Sequence, residues 1–440
     1  MSSTLPTPQS GPLTQRSDED LAPGDIAVGV IIGRASEYFD FFVFGIASVL
    51  VFPQVFFPYV DRLTGTLYAF LVFALAFLVR PVGTLIGMEI QRRFGRSTKL
   101  TAALFLLGCS TVAMGLLPSF AEAGSTAIVL LALCRVGQGL ALGGSWDGLP
   151  SLLALNAPPA RRGWYAMLGQ LGAPLGFFVA SGVFLYVYSS LDAKDFLSWG
   201  WRFPFFTAFT INVVALFARL RLVVTHEYEK RMEEHELDPA HLHELIPAQG
   251  HHIVIGAFVA LASYALFHLV TVFPLSWVAL SDEQGIEGFM KMELLGAAFA
   301  AAAMPMSGLI ADKVGRRNFL GTLALAIGVF ALFAPLMLGG GKPGQAAFIL
   351  IGFVLLGLSY GQSAGSVTSN FLPHFRYTGA ALTADFAWLL GAAFAPVVAL
   401  FLSSRFGLVS LSLYLLSAVV CTLVALRVNK RLQTAAVVQD

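Results

Sequence analysis

GRASEYFDFFVFG, residues 33–45, sets Arg34, Glu37 and Asp40 inside a run that is otherwise almost entirely apolar. Three charges within two turns mean little on a solvated helix. In a membrane span each needs water or a partner, so the reading of this stretch decides the fold. The rest of the chain decides for the membrane. Hydrophobic residues make up 57% of it and charged residues 12%, with mean hydropathy +0.75. Soluble domains carry about 25% charged residues, so this chain cannot cover itself with solvated side chains. Apolar runs of about 20 residues recur, each long enough to cross a hydrocarbon core about 30 Å thick. The net charge of +1 says nothing about nucleic acid, because the few charges are placed rather than spread, and no nucleic-acid partner is expected. Cys109, Cys134 and Cys421 lie in apolar runs at unrelated spacings, a pattern of small buried hydrophobes rather than of a metal site or disulfide framework.

Breaking the apolar runs at charges, prolines and glycines yields twelve spans, near 26–51, 64–90, 98–117, 126–149, 163–188, 202–222, 252–280, 289–311, 319–338, 345–370, 379–403 and 407–427. The loops between them alternate in charge. One set collects Arg92, Arg93, Arg96, Lys99, Arg161, Arg162, Lys313, Arg316, Arg317, Arg376 and further basic residues. The other holds only Arg62, Lys194, Arg202, Lys291, Lys342 and Arg405. The positive-inside rule makes the first side cytoplasmic and places both termini there. Residues 1–25 are polar and rich in Pro and Ser, unlike a cleavable signal, and are expected to form a disordered cytosolic tail. A charged cytoplasmic linker at 223–251 divides the chain into six-span bundles at 26–222 and 252–428, with a second cytosolic tail at 429–440. The histidines of the linker region (His226, His235, His241, His243, His251 and His252) are mostly interleaved with Glu on a solvated segment, so no metal site is expected.

The two bundles are related in sequence. Gly95 of FGR and Gly315 of VGRR stand 220 positions apart; Gly169 of GQLGAP and Gly391 of GAAFAP stand 222 apart. Two motifs at nearly one offset, half the chain length, indicate a parallel six-helix repeat. The expected fold is therefore an all-α polytopic membrane protein, with twelve transmembrane helices in two pseudo-symmetric six-helix bundles.

GLIADKVGRR, Gly308–Arg317, is similar without a gap to the G-x-x-x-D-[RK]-x-G-R-R loop of the major facilitator superfamily. RVGQG, Arg135–Gly139, resembles the R-x-x-Q-G element of its fourth helix. EYFDFFVFG, RPVG (Arg80–Gly83), GGSWDG (Gly143–Gly148), GWRFPF (Gly200–Phe205) and RYTGAAL (Arg376–Leu382) resemble the metabolite:proton symporter family of bacterial inner membranes, in that family's order. The resemblance implies alternating access, a place in the bacterial cytoplasmic (inner) membrane, and proton-coupled uptake of carboxylates or zwitterions. It also marks Gly95, Arg96, Gly308, Asp312, Gly315 and Arg316 as conformational-switch loops. Three positions depart from it. Arg92 stands where the family carries the Asp of its first-half loop, Ser145 replaces the acid of G-G-E-W-G-G with Asp147 two positions on, and Arg34 replaces an Asn.

Glu37 and Asp40 fall near the midplane of the first span, counted at about 1.5 Å per residue. Three residues apart, they can face roughly the same way. A charge at that depth costs at least about 2.5–3.5 kcal/mol on insertion scales and faces a cavity or a partner. Arg34, Arg80 and Arg135 can serve these acids structurally, by holding helices together. Midplane acids in a two-repeat carrier favour proton coupling instead, in which an Arg–acid contact made and broken by conformational change loads and releases a proton. Asp40 is the first candidate for proton carrier and Glu37 the second; the resemblance sets Arg135 beside them as modulator. Arg80 has two open roles, ion pairing within the bundle or bidentate binding of a substrate carboxylate. Tyr264, His268 and Thr271 form a polar stripe on the seventh span, and Tyr360, Gln362, Ser363 and Asn370 mark the tenth. The superfamily lines its cavity with the first, fourth, seventh and tenth helices, so Arg34, Arg80, Tyr264, His268, Tyr360 and Gln362 are the candidate substrate-binding residues. Asp385 and Trp388 lie in the eleventh span, Asp385 near enough to the cytoplasmic end for solvent to reach it.

No nucleotide-binding loop, metal-ligand spacing or nucleophile–base set is present, so no enzyme, catalytic residue or cofactor is expected. The expected partners are a small organic solute, protons and the lipid bilayer, and the chain is expected to be a monomer. Arginines at the site lean towards an anionic carboxylate. GAPLG (Gly172–Gly176), similar to a glycine–proline motif of drug antiporters, keeps a proton-driven exporter open. The missing Asp at position 92 keeps open a receptor that binds solute without moving it.

Overall fold

In lipid a backbone can satisfy its own polar groups as a helix, and the long apolar runs take that solution. The computed structural model describes residues 23–145, 158–223, 238–281, 285–364 and 370–439. Its long helical spans are α1 (Pro23–Leu50), α2 (Arg62–Phe94), α3 (Arg96–Gly115), α4 (Ser125–Gly144), α5 (Arg162–Ser190) and α6 (Phe203–Val223) in the first half. The second half has α7 (Leu261–Ser281), α8 (Ile286–Val314), α9 (Arg316–Gly339), α10 (Gly341–Tyr360), α11 (Pro373–Phe406) and α12 (Val409–Gln439). Among the described residues there is no strand. Among the described residues, eleven helical stretches are long and apolar enough to cross a membrane. The remaining helix, α1, has 28 residues and the length to cross, but carries Arg34, Glu37 and Asp40. Phe105, Phe217, Leu336 and Leu413 are exposed on the outside of the bundles, a surface suited to lipid.

Helix ends follow local chemistry. Asp61 caps α2 by accepting from the Thr64 amide (3.0 Å) and hydroxyl (2.7 Å), bonds that hold its carboxyl below the usual range. Gly95 and Gly315 end α2 and α8, each with φ of +84°, where a side chain would be strained. The corresponding loops of the two halves therefore turn in the same way.

Within the first half, α1 packs on α5, α2 on α4 and α3 on α6; in the second, α8 packs on α10, α9 on α12 and α7 on α11. Two long seams join the halves, α5 against α8 and α2 against α11. Nearly every residue of α7 is buried, whereas the other apolar spans bury between a third and a little over half. Its Phe267 ring lies 6.1 Å from Tyr38 and 5.6 Å from Phe42 of α1, so α7 closes the centre against the first half.

Some limits differ from the sequence expectation. A helix, Leu242–Val259, kinked at Gln249, already occupies the second part of the expected linker 223–251. Its Leu245 and Ile253 are buried with Leu320, Phe371 and Leu382, so an apolar stripe hidden among Glu and His docks on the second bundle. α10 ends at Tyr360 rather than near 370, and α12 continues as helix to Gln439 through most of the expected tail 429–440. The first 22 residues, Asp147, His226 and His235 lie outside the described residues.

Candidate functional site

The charges of α1 end in two places. Arg34 Nη1 meets Glu37 Oε2 at 2.5 Å, and Ser145 Oγ, capping the end of α4, donates to Glu37 Oε1 at 2.7 Å. The Tyr38 and Tyr360 hydroxyls hydrogen-bond across the halves. Two glycines allow this arrangement. A Cβ on Gly172 would lie 2.6 Å from the Ala35 amide nitrogen, and one on Gly176 2.6 Å from the Ala35 carbonyl oxygen and 2.7 Å from Tyr38 Cβ. GAPLG thus serves the close approach of α5 to α1.

Asp40 turns the other way, into the first bundle. Asn212 of α6 donates to its Oδ2 at 2.7 Å and is itself held by Ser36 Oγ (2.8 Å), with Thr111 of α3 alongside. The expectation that Glu37 and Asp40 share a face is corrected by these partners.

Arg135 is fully buried, yet it does not sit directly on an acid. Its Nε and Nη2 donate to the Phe73 carbonyl (3.1 and 3.0 Å), Nη1 donates to Gln138 Oε1 (2.8 Å), and Phe44 and Phe73 cover its guanidinium at 4.2 and 4.7 Å. It reaches Asp40 only through Gln138, which donates to Thr111 at 2.7 Å. A backbone acceptor and aromatic faces supply what an acid was expected to supply.

Arg80 forms an ion pair across the α2–α11 seam, Nε to Asp385 Oδ1 at 2.8 Å, and Thr84 Oγ1 donates to Asp385 Oδ2 at 2.5 Å. Asp385 is 2% exposed, which corrects the expectation that cytoplasmic solvent reaches it. One turn on, α11 widens into a π-helix at Trp388–Ala393, a distortion common at functional sites. It carries Trp388, whose ring lies 5.8 Å from the Arg80 guanidinium.

Arg34, Glu37, Tyr38, Phe41, Phe77, Arg80, Leu142 and Trp388 together line one central cavity. Its free space holds about one water molecule, so this cavity as described has no room for an organic solute. Tyr264, His268 and Tyr360 stand behind Trp388, with ring centroids 5.2, 6.1 and 6.0 Å from it. His268 is fully buried among Phe41, Phe73 and Phe77, and its Nδ1 lies 3.5 Å from Thr271 Oγ1.

The remaining candidates gather at the ends of the seams. Asp312 accepts from the Gly163 and Trp164 amides at 2.6 and 3.2 Å, and Arg316 reaches the Arg162 carbonyl at 3.5 Å. Gly308 packs directly on the Trp164 backbone, where a Cβ would meet Cα at 2.9 Å. Gln362 donates to the Gly163 carbonyl and to Ser307 Oγ, both at 3.1 Å. It belongs to this latch and not to the cavity wall, contrary to its expected role. In the other seam Lys99 Nζ donates to Tyr377 OH (2.7 Å) and to Gln91 Oε1 (2.9 Å), beside a buried Arg96. Arg92, at the departed position, bonds to Glu89 of its own helix at 2.6 Å. Gln138, Lys99 and Tyr377 lie in stretches that the sequence reading quoted or counted without giving them these contacts, and Asn212 and Thr111 were not singled out. Asn212 and Thr111 lie in apolar stretches with no spaced motif to mark them. Among the described residues no three His, Cys, Asp or Glu side chains gather as a metal site.

Comparison with known proteins gives these features a context. The profile described as Major Facilitator Superfamily matches residues 30–396. The inner membrane metabolite transport protein YhjE of Escherichia coli K12 is 39% identical over 409 residues, covering 91% of this chain and 92% of that protein. The shikimate transporter of the same strain is 29% identical, covering 86% and 88%. A proline/betaine transporter of Salmonella typhimurium LT2 is 26% identical, covering 84% and 76%. A crystal structure of a D-xylose–proton symporter superposes with a TM-score of 0.68 at 18% identity, covering 92% of this chain and 96% of that one.

Proposed function

This chain belongs to the Major Facilitator Superfamily and is a membrane transporter, not an enzyme; on that premise we propose that it takes up a small organic acid or zwitterion together with protons, by alternating access. The proposed setting is the bacterial inner membrane, with both termini cytoplasmic and the chain working as a monomer. The observation that carries this reading is the pair of salt bridges on one cavity, Arg34–Glu37 and Arg80–Asp385, the second drawn from both halves. Opening a seam hydrates or parts these pairs. The freed guanidinium then suits a solute carboxylate as a two-pronged donor. Glu37, its charge no longer offset, is poised to take the proton.

Tyr38, Phe41, Phe77 and Trp388 supply aromatic faces around the same charges, suited to the apolar body or ammonium group of a zwitterion. Relatives named for shikimate and for proline/betaine agree with that class of solute. The latch at Asp312 and the Lys99–Tyr377–Gln91 contacts support a seam that parts and re-forms, with Lys99 and Tyr377 joining the halves near the loop where Arg92 stands.

Counterflow in proteoliposomes tests the solute class. Wild type preloaded with one member of a panel of carboxylates and zwitterions should take up the labelled form, and Arg80→Ala should lose that exchange. Exchange of neutral sugars alone, unchanged by Arg80→Ala, would refute the proposal.

A further inference from the structure

A buried acid lies apart from the charged cavity. Glu293 of α8 is 1% exposed, and neither of its carboxyl oxygens has a hydrogen-bond partner. No ion pair reaches it among the described residues. Its position follows from helical spacing. Ala300 and Met304 line a second, apolar pocket between the halves, together with Phe42 of α1, Phe177 of α5, Thr271 of α7 and Phe353 of α10. Glu293 stands seven residues before Ala300 and eleven before Met304, on the same stripe of α8 to within about 20°. It is thus about 10 Å from Ala300 along the axis, towards the end of α8 opposite the Asp312 latch.

The elements packed on α8 bring it no charge. Arg161, Arg162, Tyr165, Arg316 and Arg317 lie at the latch end, and Tyr264, His268 and Tyr360 belong to the aromatic group around Trp388. Tyr186 and Tyr188 of α5 and Lys342 of α10 lie towards the same end as Glu293, but none bonds to it. On α8 itself Lys291 is exposed and held by Glu287 at 2.6 Å, and Asp312 and Lys313 are at the far end.

An ionised carboxylate without partners in such a place is far more costly than a neutral acid. We propose that Glu293 is a proton-binding site in the second bundle: it carries a proton in the closed state, and exchanges it with external water when the outer ends of the α5–α8 seam part. Carboxylate and proton combine to a neutral acid on closing from the outward-open state and separate once the inner ends of the seam part, so each cycle takes one proton out of the external solution and releases it inside. The site rests on the transport reading above for its place in the cycle, but its protonation does not.

Infrared spectroscopy of purified protein in lipid, without solute, reads the protonation directly. At neutral pH wild type should show a protonated-carboxyl C=O band that is absent from Glu293→Gln and shifted in Glu293→Asp. In proteoliposomes Glu293→Gln should keep solute counterflow and lose most of the extra accumulation that an inward proton gradient drives. An identical band in wild type and Glu293→Gln overturns the site, whatever transport shows. A band lost in Glu293→Gln with gradient-driven accumulation unchanged overturns its place in coupling. If no solute of the panel is moved by wild type, the transport reading fails while the infrared comparison still decides whether Glu293 holds a proton.

Discussion

Neutralising Asp385 should open the seam between α2 and α11. Its carboxylate meets Arg80 at 2.8 Å and accepts from Thr84 at 2.5 Å, with side chains 8% and 2% exposed for Arg80 and Asp385. Removing one partner of a buried pair costs about 3–5 kcal/mol, because the other charge stays buried alone. Little solvent screens this pair, so no large discount applies. The pair joins the two halves, so the loss falls on the closed state; where a seam is open, water replaces the missing carboxylate. At about 1.4 kcal/mol per tenfold, Asp385→Asn should shift the closed–open balance towards open by a hundredfold or more. Spin labels at Arg93, in the last turn of α2, and His374, at the start of α11, report it, since both side chains are exposed. Their distance distribution should gain a long component in Asp385→Asn. Replacing both partners, Arg80→Leu with Asp385→Leu, should return it towards wild type, because an apolar pair buries no lone charge. An unchanged distribution in Asp385→Asn, or a double variant as open as the single one, refutes the reasoning.

Further outcomes follow from the same contacts. Glu37→Gln can still accept from Ser145 but loses the ion pair with Arg34, so counterflow should persist while uphill accumulation collapses to equilibrium; equal loss of both would count against a coupling role. Asp312→Asn weakens the bonds from the Gly163 and Trp164 amides, worth about 1.5–3 kcal/mol for a charged acceptor. Labels at the exposed Arg161 and Lys313 should then move apart, and an unaltered distance would speak against the latch. Gly176→Ala drives a Cβ against α1 and should cost about 1–3 kcal/mol by overpacking, seen as a lower unfolding temperature in detergent together with lost counterflow.

The number and order of spans were legible because hydropathy is a property of long windows, and lipid leaves an apolar run few alternatives to a helix. Positive-φ glycines at 95 and 315 were legible as a repeat because one turn geometry imposes one residue type at both places. The linker helix was not, because Leu245 and Ile253 lie among Glu and His that read as solvated. At the site the sequence located charges but not their partners. Arg135 was matched to acids, whereas the Phe73 carbonyl and aromatic rings hold it, and neither leaves a pattern in residue types. Asp385 looked close to an end because its span was expected to begin near 379, whereas α11 begins at Pro373 and packs on α2, which buries it. Glu293 follows Glu287 and Lys291 near the start of a span, where an acid reads as part of the polar boundary. Burial alone distinguishes it.

Proton flux during solute entry is the most direct test of coupled uptake. Proteoliposomes holding a pH-sensitive dye, with no imposed gradient, are given an external solute that supports counterflow. Wild type should acidify the lumen as solute enters, and Glu37→Gln should admit solute without acidification. Entry of solute with no change in luminal pH in wild type, or with alkalinisation, would contradict proton-coupled uptake.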